Sequence, residues 1–176
     1  MTRGTDVCTF IEKFCFIPEG AKVGQRMELL PFQRKFIRDI YDNKAGTSRA
    51  YLSIARKNGK SALIAAIILA HLVGPEGKEN SQIISGAQSR EQAGVIFDLA
   101  EKMVRQNPEL YKIVQIVPSK KMMLGIVCNV TFKAISSDSK TAHGLSPVLA
   151  ILDEVGQVRG PKSKFIEAIE TAQGAH

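Results

Sequence analysis

Apolar residues in this chain recur at two spacings, one typical of helices and the other of buried strands. Residues 62–71 are almost all apolar and predict a buried helix, while residues 31–41 predict an amphipathic one. Further helices are predicted over residues 89–105, with Ser89 as the N-cap, and over residues 162–171. Strands are predicted in six apolar runs, which span residues 49–55, 81–87, 113–117, 122–127, 130–135 and 147–153.

The order of these elements predicts an α/β fold. Because strands and helices alternate, we expect a doubly wound, mainly parallel sheet flanked by helices. Pro18, Gly20 and Gly24 argue against long regular structure before residue 31. We therefore expect residues 1–30 to form an N-terminal extension that packs on the core, and residues 31–176 to form the main domain.

Composition changes this picture little. The chain has 176 residues, a formal net charge of +7 and 44% hydrophobic residues, which suits one globular domain and favours polyanionic partners. Three cysteines (Cys8, Cys15 and Cys128) without a C-x-x-C pair make a disulfide framework or zinc site unlikely and fit a reducing compartment. No secretory signal is visible, and the apolar run at 62–73 is too short to span a bilayer.

A cationic loop between the predicted strand at 49–55 and the helix at 62–71 carries the strongest chemical signal. Strand, polar loop, Gly-Lys-Ser and helix together form the arrangement of a phosphate-binding P-loop, although Ile54 stands where the general pattern has glycine. The alternative is a lysine that caps an ordinary loop. As a P-loop, the segment predicts an ATP site formed by Arg56, Lys57, Asn58, Gly59, Lys60 and Ser61, with the Ser61 hydroxyl as a Mg²⁺ ligand.

A second motif lies where the apolar run from residue 147 ends in Asp153 and Glu154. Acids at the carboxyl end of a buried strand lie where open α/β sheets bind ligands. This Walker B pattern predicts that Asp153 holds Mg²⁺ and that Glu154 polarises the attacking water. The alternative is a strand that ends in solvated acids, but two motifs in the right order favour a nucleotide site.

Gln33, near the start of the helix at 31–41, is a candidate for the adenine side of that site. Its amide can match the donor and acceptor edge of adenine. From spacing alone, a surface glutamine is nearly as good an interpretation.

Four stretches resemble the ATPase domain of the large terminase subunit, the DNA-packaging motor of tailed bacteriophages. They are residues 31–34, the loop 55–61 with its unusual arginine, residues 134–145 and residues 152–154. The resemblance implies a P-loop NTPase (ASCE/RecA-like) fold, catalytic roles for Arg56, Lys60 and Glu154, and adenine contact by Gln33. It also implies ATP and Mg²⁺ as cofactors and translocation of double-stranded DNA into a procapsid. The implied partners are a portal protein and a small terminase subunit, with a homo-oligomeric ring on the portal, in the cytoplasm of the bacterial host and without a membrane.

The chain departs from that family in length, since its members are two to three times longer. The strand with the coupling motif and the nuclease domain are not found in these 176 residues, so we expect an incomplete ATPase domain without nuclease activity. A helicase-like ATPase core is an alternative, although Val155-Gly156 follows the acids where helicases usually have Ala-His or Ala-Asp. A non-catalytic nucleotide-binding remnant is a further alternative.

Overall fold

A five-stranded mixed sheet organises the computed structural model, which describes residues 1–55, 58–137, 146–153 and 164–173. The strands are β1 (Gln82–Ala87), β2 (Val114–Val117), β3 (Met122–Gly125), β4 (Val130–Ser136) and β5 (Leu149–Leu152). The helices are α1 (Arg3–Phe14), α2 (Pro31–Tyr41), α3 (Lys60–Leu72), α4 (Arg90–Gln106), α5 (Pro108–Ile113) and α6 (Lys164–Gln173). The predicted α/β fold is therefore confirmed.

The strand order is β2-β3-β4-β1-β5, and only part of the sheet is parallel. β1 lies parallel to β4 and β5, whereas β3 is antiparallel to both β2 and β4. Short connections at residues 118–121 and 126–129 join β2 to β3 and β3 to β4, and such short connections can join only antiparallel neighbours. This half of the sheet corrects the expectation of a mainly parallel one.

Helices cover both faces of the sheet. Neighbouring residues of β1 point to opposite sides: Ile83 belongs to the large apolar core with α3 and α4, and Ile84 packs with Phe165 and Ile169 of α6. At the C-terminal end of α3, Gly125 of β3 fits closely against the helix. A Cβ at this position would lie 2.2 Å from the Leu72 carbonyl oxygen.

The helix α1 is the main element that the sequence prediction missed. Thr2 caps it by accepting a hydrogen bond from the Thr5 N–H, and Val7 and Ile11 are fully buried at helical spacing. The helix packs on α2 and α3. Pro18, Gly20 and Gly24 do not prevent this helix, because they lie beyond its last residue, Phe14. The division of the chain at residue 30 stays a prediction.

The predicted strand at 49–55 is wrong for this structure. These residues form no β-ladder with any described strand. Tyr51 is 82% exposed, and only Leu52 and Ile54 are partly buried. A strand needs a partner for its backbone N–H and C=O groups, and apolar composition alone does not supply one.

Polar contacts join α1 and α2 to α3 and to the segment that follows it. The Tyr41 hydroxyl and His71 Nε2 lie 2.8 Å apart, and Arg3 donates two hydrogen bonds to the buried Glu76 carboxylate at 3.1 and 2.6 Å. Burial lowers the pKa of His71 to about 4 and raises the pKa of Tyr41. His71 is therefore neutral at pH 7 and can share a hydrogen bond with the tyrosine.

Candidate phosphate and nucleotide site

The N-cap of α3 is a glycine in a backbone conformation that other residues rarely adopt. Gly59 has φ 72° and ψ 19°, in the left-handed region that glycine tolerates best. Its carbonyl oxygen accepts the N–H of Leu63 at 2.9 Å, which closes the first turn of the helix. Lys60 and Ser61 are the first two helical residues, so their N–H groups lie at the positive end of the helix dipole.

The carboxyl end of β5 supplies the acid of the site. Asp153 follows Leu152 directly, and its N–H donates to the Gly86 carbonyl oxygen of β1 at 3.2 Å. This bond extends the pairing of β5 with β1 by one residue and fixes the backbone that carries the carboxylate.

Lys60 and Asp153 meet between these two elements. Lys60 Nζ lies 3.0 Å from Asp153 Oδ1, and the two side chains are 31% and 16% exposed. The residues that the P-loop and Walker B patterns singled out are therefore in contact, even though residues 49–55 pair with no described strand. The start of α3 and the end of β5 therefore bring a cation, an anion and the N-terminal N–H groups of a helix to one place.

Gln33 lies at the same end of α3, and its side chain points inward. It is 5% exposed and shares the inner face of α2 with Ile37 and Tyr41. Its Oε1 accepts the N–H of Leu30 at 3.0 Å, and its Nε2 donates to the Asn58 carbonyl oxygen at 3.4 Å. Gln33, Ile37 and Tyr41 stand at positions i, i+4 and i+8 and therefore share one face of α2. This spacing could have predicted that Gln33 is buried, but the other apolar residues of the helix favoured a different face.

Arg49 forms an ion pair that the sequence gave no reason to expect. Its guanidinium lies 3.5 Å from Glu170 of α6, and both side chains are partly exposed. This ion pair links the segment before the loop to the helix that follows the Walker B acids. Exposed pairs of this kind contribute little to stability, about 0.2–1 kcal/mol.

Several predicted site residues lie outside the described residues. These are Arg56, Lys57 and Glu154. Residues 138–145, which belong to the stretch 134–145 that resembles the terminase family, also lie outside the described residues. The roles assigned to Arg56, Lys57 and Glu154 stay predictions, as do those of Gln33, Asn58, Gly59, Lys60, Ser61 and Asp153.

The described side chains have the chemistry that Mg²⁺ and a phosphate chain require. Hydroxyl and carboxylate oxygens are suitable ligands for Mg²⁺, which usually takes only one or two protein groups beside phosphate oxygens and water. Ser61 and Asp153 would be those two groups. Among the residues that the structure describes, no cluster of three or more His, Cys, Asp or Glu side chains forms a separate metal site.

The identity of the chain follows from a comparison with known proteins. A family model described as the terminase large subunit, ATPase domain, matches residues 31–173. The chain belongs to this family. A terminase large subunit of Enterobacteria phage HK97 is 64% identical over all 176 residues, and the chain spans 35% of that relative's length.

Solved terminase structures agree with the fold. The crystal structure of the HK97 large terminase is 62% identical and superposes with a TM-score of 0.94, covering all of this chain and 36% of that one. The ATPase domain of the Thermus phage P74-26 large terminase is 23% identical with a TM-score of 0.64, covering 86% of this chain and 61% of that one. At this identity the second likeness shows the fold alone.

Among the described helices, none is long and apolar enough to cross a bilayer.

Proposed function

We propose that this terminase domain binds ATP with Mg²⁺ and hydrolyses it to drive double-stranded DNA into a procapsid. The observation that carries the proposal is the contact between Lys60 and Asp153 at the start of α3. In P-loop enzymes a lysine at this position binds phosphate oxygens and an acid at this strand end serves the metal. Here the two groups neutralise one another, at the place where a phosphate chain would separate them.

Binding of the nucleotide would rearrange these contacts. Lys60 would contact the β- and γ-phosphates in place of the Asp153 carboxylate, and Ser61 and Asp153 would be the residues that hold Mg²⁺. When bound, Mg²⁺ neutralises phosphate charge. The N–H groups of Lys60 and Ser61 lie on the side where the helix dipole favours an anion. Arg56, Lys57, Asn58 and Gly59 complete the phosphate loop.

Hydrolysis in this proposal depends on Glu154 and Arg56. Glu154 follows the metal-binding acid by one residue, so its longer side chain accepts a proton from a water in line with the γ-phosphate. Arg56 responds to the γ-phosphate, and Gln33 faces adenine. Nuclease activity is not part of the proposal for these residues.

The partners in this proposal are those of a packaging motor. Double-stranded DNA, a portal protein and a small terminase subunit act with a homo-oligomeric ring of large subunits in the bacterial cytoplasm. The net charge of +7 supports contact with a polyanion, although it does not identify one.

The test of nucleotide binding is calorimetry with the Lys60→Ala variant. Charge-assisted hydrogen bonds to phosphate are worth about 1.5–3 kcal/mol, so MgATP affinity should fall roughly ten-fold or more. Lys35→Ala is a matched control, because Lys35 also forms an ion pair but is exposed on α2. Equal MgATP affinity for the wild type and Lys60→Ala would exclude Lys60 as a phosphate ligand.

Hydrolysis is tested in the full-length protein with Glu154→Gln. The amide cannot accept the proton of water, so MgATP binding should persist while turnover is lost. Turnover at the wild-type rate would assign the general base to another residue.

A further inference from the structure

The hydrogen bonds of Gln33 point to a role that differs from reading the base. Both polar atoms of its amide already bind the protein: Oε1 binds the Leu30 N–H at the start of α2, and Nε2 binds the Asn58 carbonyl oxygen in the phosphate loop. Asn58 stands two residues before Lys60. A buried amide thus connects the first turn of one helix to the loop that opens another.

The packing around this amide supports a positional role. Gln33 is 5% exposed, so the polar atoms of its side chain need partners inside the protein. A Cβ at Gly59 would lie 3.6 Å from Gln33 Nε2, which shows that the amide lies against the backbone of the loop as well as against one carbonyl group. Ile37 and Tyr41 hold the same face of α2 in the core, so the amide is carried by a fixed helix.

We propose that Gln33 is a positioning residue for the phosphate loop, holding Asn58 and Gly59 where Lys60 can receive a phosphate chain, whichever base that chain carries. The inference rests on the proposed nucleotide function. An amide has two N–H donors and an oxygen with two lone pairs, so Gln33 retains one donor and one acceptor for adenine. Loop position and base contact are then properties of one side chain.

The experiment compares two ligands, MgATP and inorganic tripolyphosphate with Mg²⁺, which has phosphates but no base. Each is titrated to millimolar concentration in competition with a fluorescent ATP analogue, for the wild type and Gln33→Met. Methionine has a similar length and flexibility but cannot donate to the Asn58 carbonyl oxygen. One lost hydrogen bond corresponds to roughly a two- to ten-fold change, and we expect this weakening for both ligands.

Gln106→Met is the matched control. Gln106 also donates its Nε2 to a backbone carbonyl oxygen, that of Ile17 at 3.1 Å, and it lies at the end of α4. Thermal unfolding is recorded for both variants, because loss of the cap on α2 alone would lower the melting temperature and leave both affinities unchanged. We expect Gln106→Met to keep wild-type affinity for both ligands.

Three results would overturn the inference. Gln33→Met could weaken MgATP and leave tripolyphosphate unchanged, which would make Gln33 a base reader only. It could leave both affinities unchanged, or the wild type could bind MgATP but no tripolyphosphate. A wild-type protein that binds neither ligand would instead contradict the proposed function itself.

Discussion

At the scale of single residues, Lys60 and Asp153 already bind each other when no nucleotide is bound. Each group has a charged partner at 3.0 Å, so a ligand must replace that contact as well as make its own. The pair is only partly buried, and the free energy of such a pair is small, about 0.2–1 kcal/mol. The ion pair therefore opposes ligand binding only weakly. A phosphate chain with Mg²⁺ would give both groups a stronger partner.

This contact predicts opposite effects of Asp153→Asn with and without metal. The amide removes the negative charge that holds Lys60, so affinity for ATP in EDTA should stay equal or rise, by a factor of up to about five. The gain in affinity on adding Mg²⁺ should shrink, because the metal loses a charged ligand. Calorimetry under the two conditions measures both effects. A fall in metal-free affinity would mean that Asp153 positions Lys60 for phosphate instead of competing for it.

At the scale of elements, α1, α2 and α3 are joined by groups that titrate differently in the folded and unfolded chain. Burial lowers the pKa of His71 to about 4, whereas an unfolded histidine has a pKa near 6.5. Facing it are Tyr41, Glu76, Arg3 and Lys78, and the Glu76 carboxylate opposes part of the effect of burial. The unfolded chain therefore binds more protons than the folded chain between these two pKa values.

Stability should accordingly fall as the pH is lowered from about 6.5 towards 4. The shift corresponds to up to about 3 kcal/mol of unfolding free energy, fully present above pH 6.5 and lost towards pH 4. Urea unfolding at pH 7.5 and 5.0 measures the change. In His71→Gln, whose amide can still bond to Tyr41, the loss between these pH values should be smaller. An equal loss in this variant would assign the effect to other groups.

The elements also show what the sequence could predict. The bounds of α2 and α4 agree with the prediction almost to the residue, because a period of 3.6 is a local property of the chain, and α3 was marked by its apolar run. The sequence did not predict which half of the sheet is antiparallel, nor that residues 49–55 pair with no described strand. Strand pairing depends on a neighbour that the sequence of one strand does not specify. The same holds at the site. Two motifs identified Lys60 and Asp153 as site residues, whereas the bond from Gln33 to Asn58 depends on how α2 is rotated.

At the scale of the whole molecule, the proposed phosphate site lies at one edge of the sheet. Lys60 and Asp153 lie beside β5, the last strand at that edge in the described part of the chain. A groove of about 390 Å³ lies beside β2 at the other edge and is lined partly by Tyr111 and Ile126. It lies far from the proposed phosphate site and belongs to a different surface.

The proposed packaging function predicts slow ATP turnover by these 176 residues alone. In P-loop NTPases an arginine supplied by a second protein can raise the rate by about 10³–10⁵, and a dilute isolated domain has no neighbour to supply one. Steady-state hydrolysis should be near the detection limit at micromolar protein and should rise with concentration or in the full-length protein. Fast turnover that does not depend on concentration would show that the domain needs no neighbour.

The close fit of Gly125 against α3 limits which sequences this fold can accept. A methyl group there would lie 2.2 Å from the Leu72 carbonyl oxygen, so the C-terminal end of α3 or the strand β3 would have to shift. α3 has 13 residues, so at about 1.5 Å per residue its two ends are roughly 20 Å apart. A rigid rod of that length moves at both ends, and Lys60 is its first residue. Because Lys60 lies at the opposite end of the same helix, Gly125→Ala should alter MgATP affinity as well as stability.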